Sequence, residues 1–115
     1  MKVEKKYRWI KIAGNMEELI FGEKNIAQIE VEGKKICIAK TISGLKAFSS
    51  KCPHAGGDMS EGKLDKKGNI ICPVHGYVFS VNNGRDSSDE GYFLKIYPIK
   101  EADGEILIGL QEDVF

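Results

Sequence analysis

Cys52-Pro53-His54-Ala55-Gly56-Gly57 and Cys72-Pro73-Val74-His75-Gly76 are the two stretches on which the reading of this chain turns. They hold both histidines and two of the three cysteines of the 115-residue sequence. Thiolate and neutral imidazole are the soft and borderline donors that bind zinc, copper and iron. Four of them in two mixed pairs, each flanked by proline and small residues, point to a metal site. The pairing also discriminates between metals. Zinc sites commonly pair like with like, as in C-x2-4-C followed by H-x3-5-H. Here each half supplies one Cys and one His: C-x-H, then, after residues 55–71, C-x-x-H. A two-iron cluster with Cys on one iron and His on the other needs that distribution if two loops grip it from both sides. Each loop then gives one ligand to each iron.

The double motif resembles that of the Rieske-type ferredoxins: C-x-H, a spacer of similar length, then C-x-x-H-G with an aromatic shortly after. In this chain those positions are Cys52, His54, Cys72, His75, Gly76 and Phe79. Met59 and Gly62 match an apolar residue and a glycine that the family tends to place after the first histidine. Weaker likeness runs from Trp9 to Leu110. The resemblance implies an all-β fold, an antiparallel Rieske-type sandwich with a small cluster-binding subdomain, about residues 47–81, formed by two loops at one end. It implies one [2Fe–2S] cluster, with Cys52 and Cys72 on one iron and His54 and His75 on the other. It further implies an electron carrier, not an enzyme in itself, passing single electrons from a reductase to an oxygenase or another redox enzyme. Two other readings stand beside it. One is a zinc-stabilised binding module without a redox role, which would be colourless. The other is a small subunit of a reductase complex, such as the nitrite reductase type, which would co-purify with a large subunit.

The resemblance carries finer expectations. The family covers its cluster with a third, proline-bearing loop. The matching stretch, Arg85-Asp86-Ser87-Ser88-Asp89-Glu90-Gly91, is acidic and has no proline. If Asp86, Asp89 and Glu90 line the rim of the site, a basic partner surface is favoured. High-potential members resemble each other in having an extra cysteine in each ligand loop and a serine right after the H-G pair. Here Val74 and Tyr77 stand in the second loop's two positions, which implies a low-potential member. Met59 is expected to cap the cluster or to fill the core.

Length and composition agree. A chain of 115 residues is expected to form one domain, 1–115. Its formal net charge is zero, so nothing suggests nucleic acid. The distribution is uneven: residues 1–51 hold 11 Lys/Arg against 6 Asp/Glu, residues 85–115 hold 3 against 8. Scattered solvated charge explains this better than a functional patch does. Met1 to Lys6 has no apolar signal core, and no apolar run approaches the ~20 residues of a membrane span. Three cysteines, two assigned as ligands, leave no disulfide pair, which suits a reducing compartment. The expectation is a soluble cytoplasmic protein. No acid–base pair or nucleophile constellation is evident, so no small-molecule substrate is expected on this chain.

The remaining elements read as short strands between turns, the pattern of an all-β sandwich or barrel. Strands are expected at Tyr7 to Ile12, Asn25 to Val31, Lys35 to Thr41, Leu45 to Ser49, Asn69 to Ile71, Tyr77 to Val81, Phe93 to Ile99 and Glu105 to Leu110. Glu32-Gly33-Lys34 closes a hairpin and Ala102-Asp103-Gly104 turns the chain. Asn15 to Leu19 suits one helical turn. Cys37, between Ile36 and Ile38, is expected to be a small buried hydrophobe, not a reactive thiol.

Overall fold

The run Ile36-Cys37-Ile38-Ala39 is apolar at every position rather than at alternate ones, and the three-dimensional arrangement gives the reason. The computed structural model describes residues 6–54, 56–88 and 90–111. Strand β1 is Tyr7–Ala13, β2 is Ile26–Val31, β3 is Lys34–Thr41, β4 is Gly44–Ser49, β5 is Lys63–Leu64 and β6 is Ile70–Ile71. The chain closes with β7 (Val78–Phe79), β8 (Ile96–Tyr97), β9 (Ile99–Ala102) and β10 (Glu105–Gln111). Three antiparallel sheets result, in the orders β1-β10-β9, β2-β3-β4-β8 and β5-β6-β7.

The β2-β3-β4-β8 sheet is buried on both faces. Side chains alternate across a strand, so neighbours in β3 enter different cores. Ile36 and Ile38 join Ala27, Val31, Ala47 and Tyr97, and meet Ile106, Ile108 and Leu110 of β10. Cys37 and Ala39 join Phe48 on the opposite face, with Ile70, Phe79, Val81 and Leu94. Cys52, Met59 and Cys72 complete this second core. Fully burying an Ile or Phe side chain contributes about 1.5–3 kcal/mol. A strand that feeds two cores therefore needs the unbroken apolar run.

The hairpin between β2 and β3 turns on Glu32 and Gly33, with φ of 50° and 79°. Asp103 and Gly104, at 53° and 82°, do the same between β9 and β10. Two consecutive positive φ values make the turn whose twist matches paired strands. The helical turn expected near Asn15 is a 3-10 turn at Met16–Glu18, with Asn15 and Glu18 forming a capping box.

Two expectations change. The strand expected over Phe93 to Ile99 is two strands in two sheets: β8 pairs with β4, β9 with β10. Pro98, lacking an N–H, sits at the crossing, and its carbonyl accepts from Gly109 N at 2.8 Å. The strand expected over Tyr77 to Val81 shrinks to Val78–Phe79, because its partner β6 is only two residues long. A 3-10 turn at Met59–Glu61, capped by the Asp58 side chain, and the short strand β5 were not anticipated.

Candidate metal centre

The two motif stretches fold into loops with the same hydrogen-bonded frame. In the first, Cys52 N–H donates to Gly57 O at 2.8 Å and Gly56 N–H donates to Cys52 O at 2.9 Å. In the second, Cys72 N–H donates to Tyr77 O at 2.8 Å and Gly76 N–H donates to Cys72 O at 3.1 Å. Each loop needs a left-handed residue at its fifth position, and glycine supplies it: φ is 70° at Gly56 and 73° at Gly76. The first loop runs out of β4, and the second joins β6 to β7, so both stand on the second core.

That placement buries the cysteines and leaves the imidazoles higher. Cys52 and Cys72 are 1% and 2% exposed. Their side chains are within hydrogen-bonding reach of each other, and the amides of Val74 and His75 also bond Cys72. Burial pushes the Cys72 thiol up, while those two amides pull it back toward the thiolate. The rings of His54 and His75 meet edge to face with centroids 5.1 Å apart. His54 is half-buried and His75 exposed. The loops press together at Gly57, where a Cβ would stand 2.5 Å from Val74 Cγ2 and 3.2 Å from Cys72 Sγ.

Two observations bear on what this site can hold. His54 Nδ1 is buried without a hydrogen-bond partner. A buried polar atom left unpaired costs about 1–3 kcal/mol, and donation to a metal removes that cost. Second, among the described residues no three His, Cys, Asp or Glu gather as they would around a single ion. The donors form instead a thiol pair below and an imidazole pair above. Two metals with two protein ligands each suit this set.

A family model described as the Rieske [2Fe-2S] domain matches residues 9–91. The chain belongs to the Rieske [2Fe-2S] domain family. Membership brings a [2Fe–2S] cluster with it. The ferredoxin component of the alkene monooxygenase system of Xanthobacter autotrophicus is 29% identical over 98 residues, covering 85% of this chain and 72% of the relative. The ferredoxin component of the naphthalene 1,2-dioxygenase system of Pseudomonas putida is 27% identical over 104 residues, 90% and 96% of the two chains. The solved ferredoxin of carbazole 1,9a-dioxygenase from Nocardioides aromaticivorans IC177 shares the fold at a TM-score of 0.72. Its identity is 19%, with 87% of this chain and 95% of that one covered.

Aromatic rings enclose the inner imidazole of this Rieske domain. Tyr77 lies against His54 with centroids 4.1 Å apart, and Tyr92 meets it edge-on at 5.0 Å. The Tyr77 hydroxyl donates to the Glu90 carboxylate, which pushes the phenol up to about 12. Sequence reasoning missed Tyr92, and named Asp86 and Glu90 only as rim charges. Of the three acids considered for the rim, Glu90 is exposed and lines a surface hollow with His75, and Asp86 departs from the expectation. Asp86 points inward, 3% exposed, with its carboxylate bonded to its own loop. Glu90 is engaged with Tyr77. Asp89, like Ala55 beside His54, lies outside the described residues.

The other sequence assignments fall as follows. Met59 is fully buried in the second core with both motif cysteines. Cys37 shares that core, its Sγ 3.2 Å from Ser50 Oγ, and burial pushes the thiol up to about 11. It is the buried, unreactive thiol expected. No helix among the described residues is long and apolar enough to cross a membrane.

Proposed function

We propose that Cys52, His54, Cys72 and His75 ligate the cluster, and that the chain carries single electrons in the cytoplasm from a reductase to an oxygenase. The observation that carries the ligand assignment is the donor arrangement: two matched loops, a buried thiol pair, and an imidazole pair with an unpartnered buried nitrogen. When bound, the cluster supplies a one-electron redox centre with two neutral imidazole ligands. The rest belongs to the chain. Burial of both cysteines excludes water from the thiolate side. The amides of Val74 and His75 stabilise negative charge at Cys72. The ferredoxin roles of the two named relatives support the carrier reading over a catalytic one.

Docking is assigned to the loop end of the molecule, where Pro53, Val74, His75 and Gly76 are exposed. Beside the first loop, Lys34, Lys35 and Lys51 line a groove of about 480 Å³ together with Gly56, Gly57 and Tyr97. Lys95 lies over the Tyr97 ring. The acid in that lining, Asp58, already accepts from Ser60 and Gln28. An acidic partner surface therefore suits this flank.

The potential is expected near the lower end of the roughly −150 to +300 mV Rieske range. Val74 stands where a second-loop cysteine would fall, and the Tyr77 hydroxyl is bonded to Glu90. Fewer donors to the sulfurs leave the added electron less stabilised. Iron and acid-labile sulfide analysis of anaerobically prepared protein tests the site, and voltammetry tests the potential. One zinc per chain without sulfide would sink the ligand assignment; a midpoint near the upper end would sink the low potential. Fractionation tests the compartment, and stable co-purification with a large reductase subunit would replace the free-carrier reading.

A further inference from the structure

Residues 85–92 have no proline to stiffen them, yet they hold an aromatic ring against His54. Asp86 is the residue that closes this segment. Its carboxylate is buried at 3% exposure, and both oxygens are used. One accepts from Ser88 Oγ at 2.6 Å and Glu90 N–H at 3.3 Å, the other from Tyr92 N–H at 2.9 Å. The Asp86 N–H returns a bond to Tyr92 O at 3.3 Å, so the two residues are joined twice. Ser87 N–H ties the ring to β7 through Val78 O at 2.9 Å. A charged acceptor makes stronger hydrogen bonds than a neutral one, and here it binds the segment's own backbone.

Two side chains leave this closed ring toward the site. Glu90 takes the Tyr77 hydroxyl. Tyr92 meets His54 at 5.0 Å and Tyr77 at 5.8 Å, edge-on to both. The His54 imidazole thus lies between two rings whose positions trace back to one carboxylate. We propose that Asp86 is a positioning residue for the His54 imidazole, acting through the backbone of Tyr92 and Glu90. This rests on His54 being a cluster ligand.

The test compares electron paramagnetic resonance line widths of the reduced, cluster-loaded protein with those of Asp86→Asn, Tyr92→Leu and the double variant. Asparagine keeps the shape but turns an N–H₂ toward donors. The expected result is broader lines in Asp86→Asn, because an imidazole with more than one orientation gives more than one ligand field. Tyr92→Leu should broaden them as well, and the double variant should be no broader than Tyr92→Leu alone. A through-space effect of the lost charge would shift all molecules alike, without broadening, and would persist in the Tyr92→Leu background. Native widths in loaded Asp86→Asn would overturn the proposal, and so would additive broadening in the double variant. If Asp86→Asn does not fold, Ser88→Ala removes one donor to the same carboxylate and takes its place, with the same supporting and overturning outcomes. Native protein that takes up no [2Fe–2S] cluster would instead mark the failure of the ligand assignment.

Discussion

Residues 52–57 and 72–77 trace one backbone frame, with matching amide-to-carbonyl bonds and a left-handed glycine at the fifth position of each. They differ by a single step in where the histidine sits: third in the first loop, fourth in the second. That step separates two environments. His54 is half-buried between Tyr77 and Tyr92, with Nδ1 unpartnered. His75 is exposed at the apex. The sixth positions diverge too, glycine in one loop and tyrosine in the other. The comparison teaches that one frame, used twice, makes an inner histidine that the protein holds and an outer one that a partner can approach.

The sharpest way to break the comparison is at the first positions. Cys52→Ser and Cys72→Ser should each abolish the visible absorption, to the same extent, since each thiol supplies half of one pair. Colour retained in either would end the equivalence. Next comes the sixth position. Gly57→Ala places a methyl against Val74 and Cys72 Sγ. Overpacking of this kind costs about 1–3 kcal/mol, readable in denaturant melts, and an unchanged midpoint would show that the loops are not pressed together. Gly76→Ala meets nothing and Gly56→Ala only an ordinary contact, Lys51 Cε at 3.6 Å, so the cost of each is that of an L-residue at the left-handed φ. Each should cost about 1–2 kcal/mol, and equal losses would sharpen the equivalence.

The smallest effect is expected at the thiol that belongs to neither loop. Cys37→Ser should leave the spectrum unchanged; bleaching without unfolding would place a third thiol in the site. Cys37 also has a pH signature. Its ordinary value of 9.0 is pushed up to about 11 by burial. The folded state then holds a proton that the unfolded state releases, so stability falls as pH rises through that interval. Denaturant melts across pH 9 to 11 should show this loss in native protein and less of it in Cys37→Ser.

Why some of this was legible in the sequence and some not follows from where each constraint resides. The family and its two Cys–His loops were legible because metal chemistry is written in local residue types and spacing. The turns at Glu32-Gly33 and Asp103-Gly104 were legible because positive φ selects few residues. The apolar run at Ile36 to Ala39 announced a strand but not that its two faces serve different cores, since the covering elements come from both ends of the chain. Asp86 was not legible. In an Asp-Ser-Ser-Asp-Glu stretch a carboxylate reads as solvated, and the donors that let it be buried are backbone amides, which carry no sequence signal. The missed strand β5 and the turn before it are too short for periodicity, and tertiary contacts alone define them.

The alternation along β3 has a consequence for how the chain acquires its metal. Ile36 and Ile38 belong to a layer that holds no cysteine or histidine and needs no iron to hold together. Cys37 and Ala39, their immediate neighbours, face a layer whose members include both motif thiols, Cys52 and Cys72. An unloaded chain can thus keep one side assembled while the other breathes open to admit iron and sulfide. In amide exchange, apoprotein should protect β1 and β10 well and the loops beyond β4 poorly. Maturation of the cluster would then be the closing of a half-finished molecule, with a single strand as its spine.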